Sequence, residues 1–353
     1  MSSNNLTLKQ SIKDKARQLG FILAGVAAPE PPEHYHVFEQ WLAQDHHCTM
    51  DYLASERSRS RRADPKQILP ECRSILILAL PYTPVSKNRS SALNIAAYAL
   101  GDDYHDVIPP RLQQIVEFIE ELVGHPIPNR FYTDTGPILE RELAQRAGLG
   151  WVGKNSMLIH PQAGSTFLLA EILLGLDLEP DEPFPTDHCG TCTRCLDACP
   201  TQCILPNRTL DARRCISFLT IENKGSIPED LREPIGNWVF GCDICQQVCP
   251  WNRFSAPADP ALTPAIALPT QTEDLLLLSS EFNQRFKRSP IKRAKRRGLL
   301  RNLAVAVGNS GNKKDLSILE KFVQDEDPLV REHAQWAKEH LTENEQTSHR
   351  HKQ

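Results

Sequence analysis

No run of residues in this chain approaches the apolar length that a membrane-spanning helix requires. Its first ten residues carry neither a hydrophobic leader core nor twin arginines, so the expectation is a protein that stays in the cytoplasm. Net charge is also small, formally -4, which gives the chain as a whole no attraction for nucleic acid. One local absence points the other way. Between Arg285 and Arg301 there is no acidic residue, while nine lysines and arginines crowd the stretch. A solvated helix face is one reading of such a run; a surface for a polyanion is the other, because phosphate contacts supply most of the salt-dependent affinity for nucleic acid. The 353 residues, 40% hydrophobic and 24% charged, have the make-up of an ordinary globular protein and suffice for two or three domains.

What is present in abundance is patterned cysteine. Cys189, Cys192, Cys195 and Cys199-Pro200 form a C-x-x-C-x-x-C-x-x-x-C-P run, and Cys242, Cys245 and Cys249-Pro250 form a shortened second one. This is the spacing with which bacterial ferredoxins hold two [4Fe-4S] clusters, the fourth cysteine of each run crossing to the other cluster. Cys189, Cys192, Cys195 and Cys249 would then hold one cluster. The second would take Cys199, Cys242 and Cys245 and fall one ligand short, since Val239 stands where a complete run has cysteine. Cys215, between the runs, is the candidate to fill the gap. Cys203 competes with it, or packs as a small apolar residue. Zinc sites generally use separated cysteine pairs without this continuation, and nothing in the sequence indicates export to a disulfide-forming compartment.

The rest of the chain reads as three regions. Leu8, Ile12, Ala16 and Leu19 recur at helical spacing, and residues 20–26 and 74–80 read as strands, the latter continuously apolar as if covered on both faces. Leu112, Ile115, Val116, Ile119, Leu122 and Val123 mark an amphipathic helix, followed by a strand over 129–133, a helix over 137–147 and a strand over 166–174. This predicts an N-terminal domain of mixed α/β or α+β class over residues 1–180, left through the proline-rich 179–185. A ferredoxin-like domain over 181–255 follows. Residues 256–341 begin loosely and turn helical, broken at Asn309-Ser310-Gly311-Asn312 and resuming at Leu316 and Pro328. Such helix pairs resemble HEAT repeats. The polar 342–353 is expected to be a flexible tail.

The segments AYALGDDYH (97–105), DTGPILER (134–141), AGLGWVGKN (147–155), RRCISFLTIE (213–222) and GCDICQQVCPWN (241–252) resemble epoxyqueuosine reductases, and the similarity covers nearly the whole chain. The resemblance implies a cobalamin-dependent, two-cluster enzyme that removes the epoxide oxygen of epoxyqueuosine at the wobble position of tRNAs for Asp, Asn, His and Tyr. It also implies a low-potential ferredoxin or flavodoxin as electron donor; nothing in the sequence demands more than a monomer. Cys215 becomes the eighth ligand. A corrinoid would lie in the N-terminal domain, and the absence of an Asp-x-His-x-x-Gly segment suits base-off cobalamin with no protein histidine on cobalt.

By the same resemblance Asp134 is the proton donor, although its sequence context alone suits a cap or turn residue. Arg62, Tyr104, Asn155, Leu158, Leu169, Ser217, Lys224 and Asp243 would surround the corrinoid or substrate, with core, surface or turn roles as the alternative for each. His105 is either a pocket residue or a satisfied histidine. Lys292, Arg293, Lys295, Arg296, Arg297 and Arg301 would face the tRNA. Reductive dehalogenases share this chemistry but usually carry an export signal and lack a basic helical tail. A simple electron carrier would not need the N-terminal domain.

Overall fold

The structure, a computed structural model, describes residues 2–82, 93–263 and 279–350. Helix α1 (Ser2–Gln18) leads to β1 (Leu23–Ala27), and α2 (Tyr35–Ala43) and α3 (Glu56–Ala63) precede β2 (Ser74–Pro81). After β3 (Asn94–Ile95), α4 (Tyr104–Val123) and β4 (Asn129–Tyr132) come α5 (Glu140–Arg146), β5 (Trp151–Val152), β6 (Leu158–Ile159) and β7 (Phe167–Leu174). The sheet order is β1-β2-β7-β4, and every pairing in it is antiparallel.

Every residue of β2 is buried, and alternation along a strand explains how. Leu76, Leu78 and Leu80 enter one core with Ile12 of α1 and Ile108, Leu112 and Ile115 of α4. Ile75, Ile77 and Ala79 enter a second with Leu143 and Ala144 of α5. Burying side chains of this size stabilises the fold by about 1.5–3 kcal/mol each. The uninterrupted apolar run therefore reports helices on both faces and is silent on strand direction.

Two departures from the sequence reading have local causes. The helix expected over 137–147 starts only at Glu140, because Pro137 holds Gly136 out of the helical region and Leu139 has a non-helical φ of -91° and ψ of 75°. Gly136 has no room for a side chain, since a Cβ there would lie 2.6 Å from the Tyr132 ring. Residues 342–350, expected as a tail, continue a long C-terminal helix; 351–353 lie outside the described residues, as do 264–278 of the loose segment.

Four short helices, α6 (Arg194–Ala198), α7 (Ile216–Ile221), α8 (Glu229–Arg232) and α9 (Ile244–Gln247), with the strand β8 (Trp238–Phe240), make up the cysteine-bearing region. β8 pairs in parallel with β3, tying this region to the N-terminal one. Beyond it, α10 (Ser279–Arg285), α11 (Lys295–Asn309), α12 (Leu316–Phe322) and α13 (Pro328–Arg350) form the helical region, broken where the sequence indicated. Helix α11 is its axis, buried from Gly298 to Gly308. It meets α13 so closely that a Cβ on Gly308 would lie 2.8 Å from that of Ala337.

Candidate active site

The cysteines gather as two groups. Cys189, Cys192, Cys195 and Cys249 line one small cavity of about 50 Å³, the first two on the loop into α6, Cys195 in its first turn and Cys249 arriving after α9. Cys199 and Cys215 meet elsewhere, both in contact with Cys203, whose sulfur lies 3.5 Å from that of Cys199. Cys242 and Cys245 lie within electrostatic reach of Cys215, and burial pushes both of their thiols up. Two sets of four sulfurs match the donor count that two cubane clusters require. Cys203 is a fifth sulfur beside the second set. Its sulfur is within hydrogen-bond distance of that of Cys199, and with Cys199 as a thiolate ligand the single Cys203 S–H would be the donor.

The motif at 147–155 reaches directly into this region. Trp151 Nε1 donates to Cys189 Sγ at 3.4 Å, and Lys154 Nζ donates to the carbonyls of Gly190 and Cys192 at 2.7 and 3.0 Å. Asn155 Nδ2 donates to the Cys245 carbonyl at 3.4 Å. From the motif at 97–105, the Ala97 amide donates to Asp243 Oδ2 at 2.6 Å, between Cys242 and Cys245. Desolvation raises Asp243 to about 6.

Asp134 stands two residues past the end of β4. The Thr135 amide donates to the Thr133 carbonyl at 2.6 Å across Asp134, whose φ is +61°, which is a γ-turn of the rare positive-φ kind. A non-glycine residue held there costs roughly 1–3 kcal/mol, and such strain is concentrated at functional sites. Three neighbours hold the turn: Thr133 Oγ1 donates to the Leu169 carbonyl at 2.8 Å, the Asp134 amide to Glu140 Oε1 at 2.9 Å, and Tyr104 Oη to Asp134 Oδ2 at 2.8 Å. Asp103, the N-cap of α4, accepts from the His105 amide and lies 2.8 Å from Nδ1 of its ring. The other ring nitrogen, Nε2, is buried without a hydrogen bond 3.8 Å from Asp134 Oδ2. His105 is thus satisfied on one side and aimed at Asp134 on the other; the bond to Asp103 raises its pKa. Burial and the Asp134 charge raise Tyr104, so it stays a hydrogen-bond donor. The Asp134 side chain itself is 57% exposed.

The remaining predicted positions divide. Arg62 and Asp134 line a cavity of about 790 Å³ walled by Phe38, Trp41, Leu53 and Ile138. Arg62 bonds Ser58 and the Gly136 carbonyl and stacks 5.6 Å from the Phe38 ring. Lys224 Nζ bonds the carbonyls of Ile221 and Arg293, and desolvation lowers its pKa. Ser217, in the first turn of α7, is half-buried, as is Leu169 on β7. Leu158 is only 2% exposed and packs in the second core, leaving only its main chain for a ligand.

The basic stretch needs correction. Arg301 is fully buried: it donates to the carbonyls of Leu219, Asn223 and Gly225 at 2.6–2.9 Å and cannot face a polyanion. Its lack of acidic neighbours in sequence is also misleading in space. Arg293 pairs with Glu222, Arg296 with Asp325 and Arg297 with Asp327, and Arg296 is largely enclosed. Lys292, Arg293, Lys295 and Arg297 are exposed. Arg293 adjoins the site, acting electrostatically on Asp134. Two acids escaped the sequence reading, Glu140 and Glu171. The signal for Glu171 was available: it is the one charge on the apolar strand FLLAEILL.

Comparison with known proteins agrees with this arrangement. Residues 188–252 match the model of a 4Fe-4S double cluster binding domain, and residues 62–135 match that of the epoxyqueuosine reductase QueG, DUF1730. An epoxyqueuosine reductase of Pseudomonas aeruginosa is 42% identical over 342 residues, 94% of this chain and 93% of its own. A crystal structure of epoxyqueuosine reductase with an epoxyqueuosine-modified tRNA-Tyr stem loop superposes with a TM-score of 0.86 at 31% identity, covering 96% of this chain and 91% of that one. The Bacillus subtilis enzyme, solved with "the Asp134 catalytic loop swung out of the active site", gives 0.84 at 31% identity with the same coverage. With its cysteine groups, its strained aspartate and this similarity over nearly its full length, the chain belongs to the epoxyqueuosine reductase family.

Proposed function

We propose that Asp134 protonates the oxygen leaving epoxyqueuosine as this chain reduces the modified wobble nucleoside of tRNA to queuosine. The observation that carries the reading is the hydrogen bond from Tyr104 to a strained Asp134, with His105 Nε2 3.8 Å from the same oxygen, in a segment whose Ala97 also braces the loop between Cys242 and Cys245. Bound clusters and cobalamin supply the two electrons, which no side chain can provide. Cys189, Cys192, Cys195 and Cys249 would hold one cluster, and Cys199, Cys215, Cys242 and Cys245 the other, with Cys203 a hydrogen-bonding thiol beside it. Arg62, Tyr104, Asp134, Asn155, Ser217, Lys224 and Asp243 would surround the corrinoid or substrate, and Leu158 and Leu169 would offer main-chain groups.

The residues around Asp134 do three things. Tyr104 fixes one carboxylate oxygen, so the other is left for the substrate. The γ-turn stores strain that a movement of the loop would release, in keeping with the loop described as swung out in the Bacillus subtilis relative. The exposure of that second oxygen leaves it open to the departing oxygen, which needs a proton because an alkoxide is a poor leaving group.

A solved relative binds an epoxyqueuosine-modified tRNA-Tyr stem loop, which supports the same class of substrate here. The tRNAs for Asp, Asn and His would join it, met in the cytoplasm by a monomer that takes electrons from a ferredoxin or flavodoxin. Among the described residues no helix is long and apolar enough to cross a membrane. The test is anaerobic incubation with epoxyqueuosine-containing tRNA, reductant and cobalamin, followed by nucleoside mass analysis. Loss of one oxygen from the nucleoside is expected; an unchanged mass with both cofactors bound would refute the reading.

A further inference from the structure

Opening an epoxide to an alkene breaks two C–O bonds and releases the oxygen as water, which consumes two electrons and two protons. A single carboxyl carries one proton. Asp134 therefore needs recharging within each turnover, at a moment when bound substrate covers it.

Behind Asp134 lies a group with no evident structural purpose. Glu171 is 0% exposed at the middle of β7, and neither of its carboxyl oxygens has a hydrogen-bond partner. Left ionised in that position it would cost several kcal/mol, so burial keeps it protonated, its pKa well above the usual carboxylate range. The β4–β7 register sets Glu171 opposite Tyr132, two residues before Asp134, and directly opposed residues point to the same face of the sheet. The first residue of α5, which packs on β7, is Glu140, and its carboxylate holds the Asp134 amide. Burial, and then the charge of Asp134, raise Glu140 to about 7. Arg62 and Arg141 oppose that rise, while Glu171 feels Glu140 and Asp134. On the far side Asp134 faces Tyr104, His105 and Arg293.

We propose that Glu140 supplies the second proton through Asp134, and that the buried, unpartnered Glu171 carboxyl is poised to donate a hydrogen bond to the Glu140 carboxylate so formed. The O–H bond of Glu140 breaks, the Asp134 carboxylate gains the proton, and no electrons move in the step. The transfer refills the Asp134 carboxylate that the first protonation leaves behind. Both glutamates are positioning residues that act through Asp134, and the inference rests on the role given to Asp134 above.

The two acids make separable predictions. Infrared spectra of the protein labelled with 13C-carboxyl glutamate should show two protonated carboxyls at pH 6, without any cofactor or turnover. One band should titrate near pH 7 and vanish in Glu140→Gln; the other should persist to alkaline pH and vanish in Glu171→Gln. In single-turnover assays of the holoenzyme, Glu140→Gln should slow the reaction roughly 10²-fold and remove the alkaline limb of its pH profile. Glu171→Gln keeps a donor and should retain most of the rate, whereas Glu171→Leu should lose it while still binding both cofactors. Absence of protonated glutamate at pH 6 overturns the proposal, as does a wild-type pH profile in Glu140→Gln. Loss of the limb in His105→Gln but not in Glu140→Gln assigns the proton to His105 and overturns it as well. A fully active Asp134→Asn sinks the parent reading; an inactive Asp134→Asn beside an unaffected Glu140→Gln sinks this inference alone.

Discussion

At the scale of single residues, the Asp134 turn and the sulfur next to Cys199 make the sharpest claims. Asp134→Asn preserves the γ-turn geometry and the Tyr104 contact while removing the proton, so it should keep both clusters and cobalamin and lose about 10²- to 10⁴-fold in turnover. Anaerobic absorption spectra and single-turnover kinetics check both halves. Cys215→Ala should halve the bound iron, whereas Cys203→Ala should keep all of it and shift the second cluster to lower potential through loss of a hydrogen bond to one of its sulfurs. Equal iron loss in the two variants would mean that Cys203 is a ligand. The gathering of Cys189, Cys192, Cys195 and Cys249 around one cavity was legible because ligand spacing is a local pattern. The sequence could not reveal that Cys203 touches both Cys199 and Cys215, because that contact is made by folding. Nor could it reveal the aim of His105, which depends on Asp103 capping α4 and on where β4 ends.

At the scale of elements, Arg301 illustrates why a charge run misleads. Helix α11 turns Arg301 and Asn302 inward, where they bond the final carbonyls of α7 and the loop after it, groups a helix cannot satisfy internally. Cys215 is the N-cap of that same helix α7. Arg301→Ala should therefore destabilise the fold by about 3–5 kcal/mol, as loss of one side of a buried polar network does, and loosen the second cluster first. Thermal unfolding and iron retention measure the two effects. The existence of α4 and α11 and the bounds of β2 were legible from periodicity, but α4 starts at Tyr104, eight residues before the first marked apolar position. The boundary also failed at α5, where Pro137 and the turn at Asp134 override a helical pattern. The pair behind Asp134 also makes stability depend on pH. A glutamate with a raised folded-state pKa favours the fold below its unfolded value of about 4.3, and the advantage is lost as pH rises through the folded value. For Glu140 that window runs up to about 7. Glu171→Gln should raise the melting temperature at pH 8 and leave it little changed at pH 4, as calorimetry can show.

At the scale of the whole molecule, a net charge of -4 and a function on tRNA are reconciled by placement. Of the basic stretch, Lys292 and Lys295 are exposed, Arg297 is exposed but paired with Asp327, and Arg293 borders Asp134. Replacing Lys292 and Lys295 by alanine should weaken tRNA binding and flatten its logarithmic salt dependence by about 1 for each phosphate that is no longer neutralised. Turnover at saturating tRNA should be unaffected. The three-region plan could be read from composition and periodicity, but how closely the regions interlock could not. The indole that donates to Cys189 comes from the N-terminal sheet region, on the far side of the proline-rich connector. Parting the two regions would strip that sulfur of its donor and admit water in its place, so the ease with which the first cluster accepts an electron is a property of the closed molecule. The seam between them works as a rheostat.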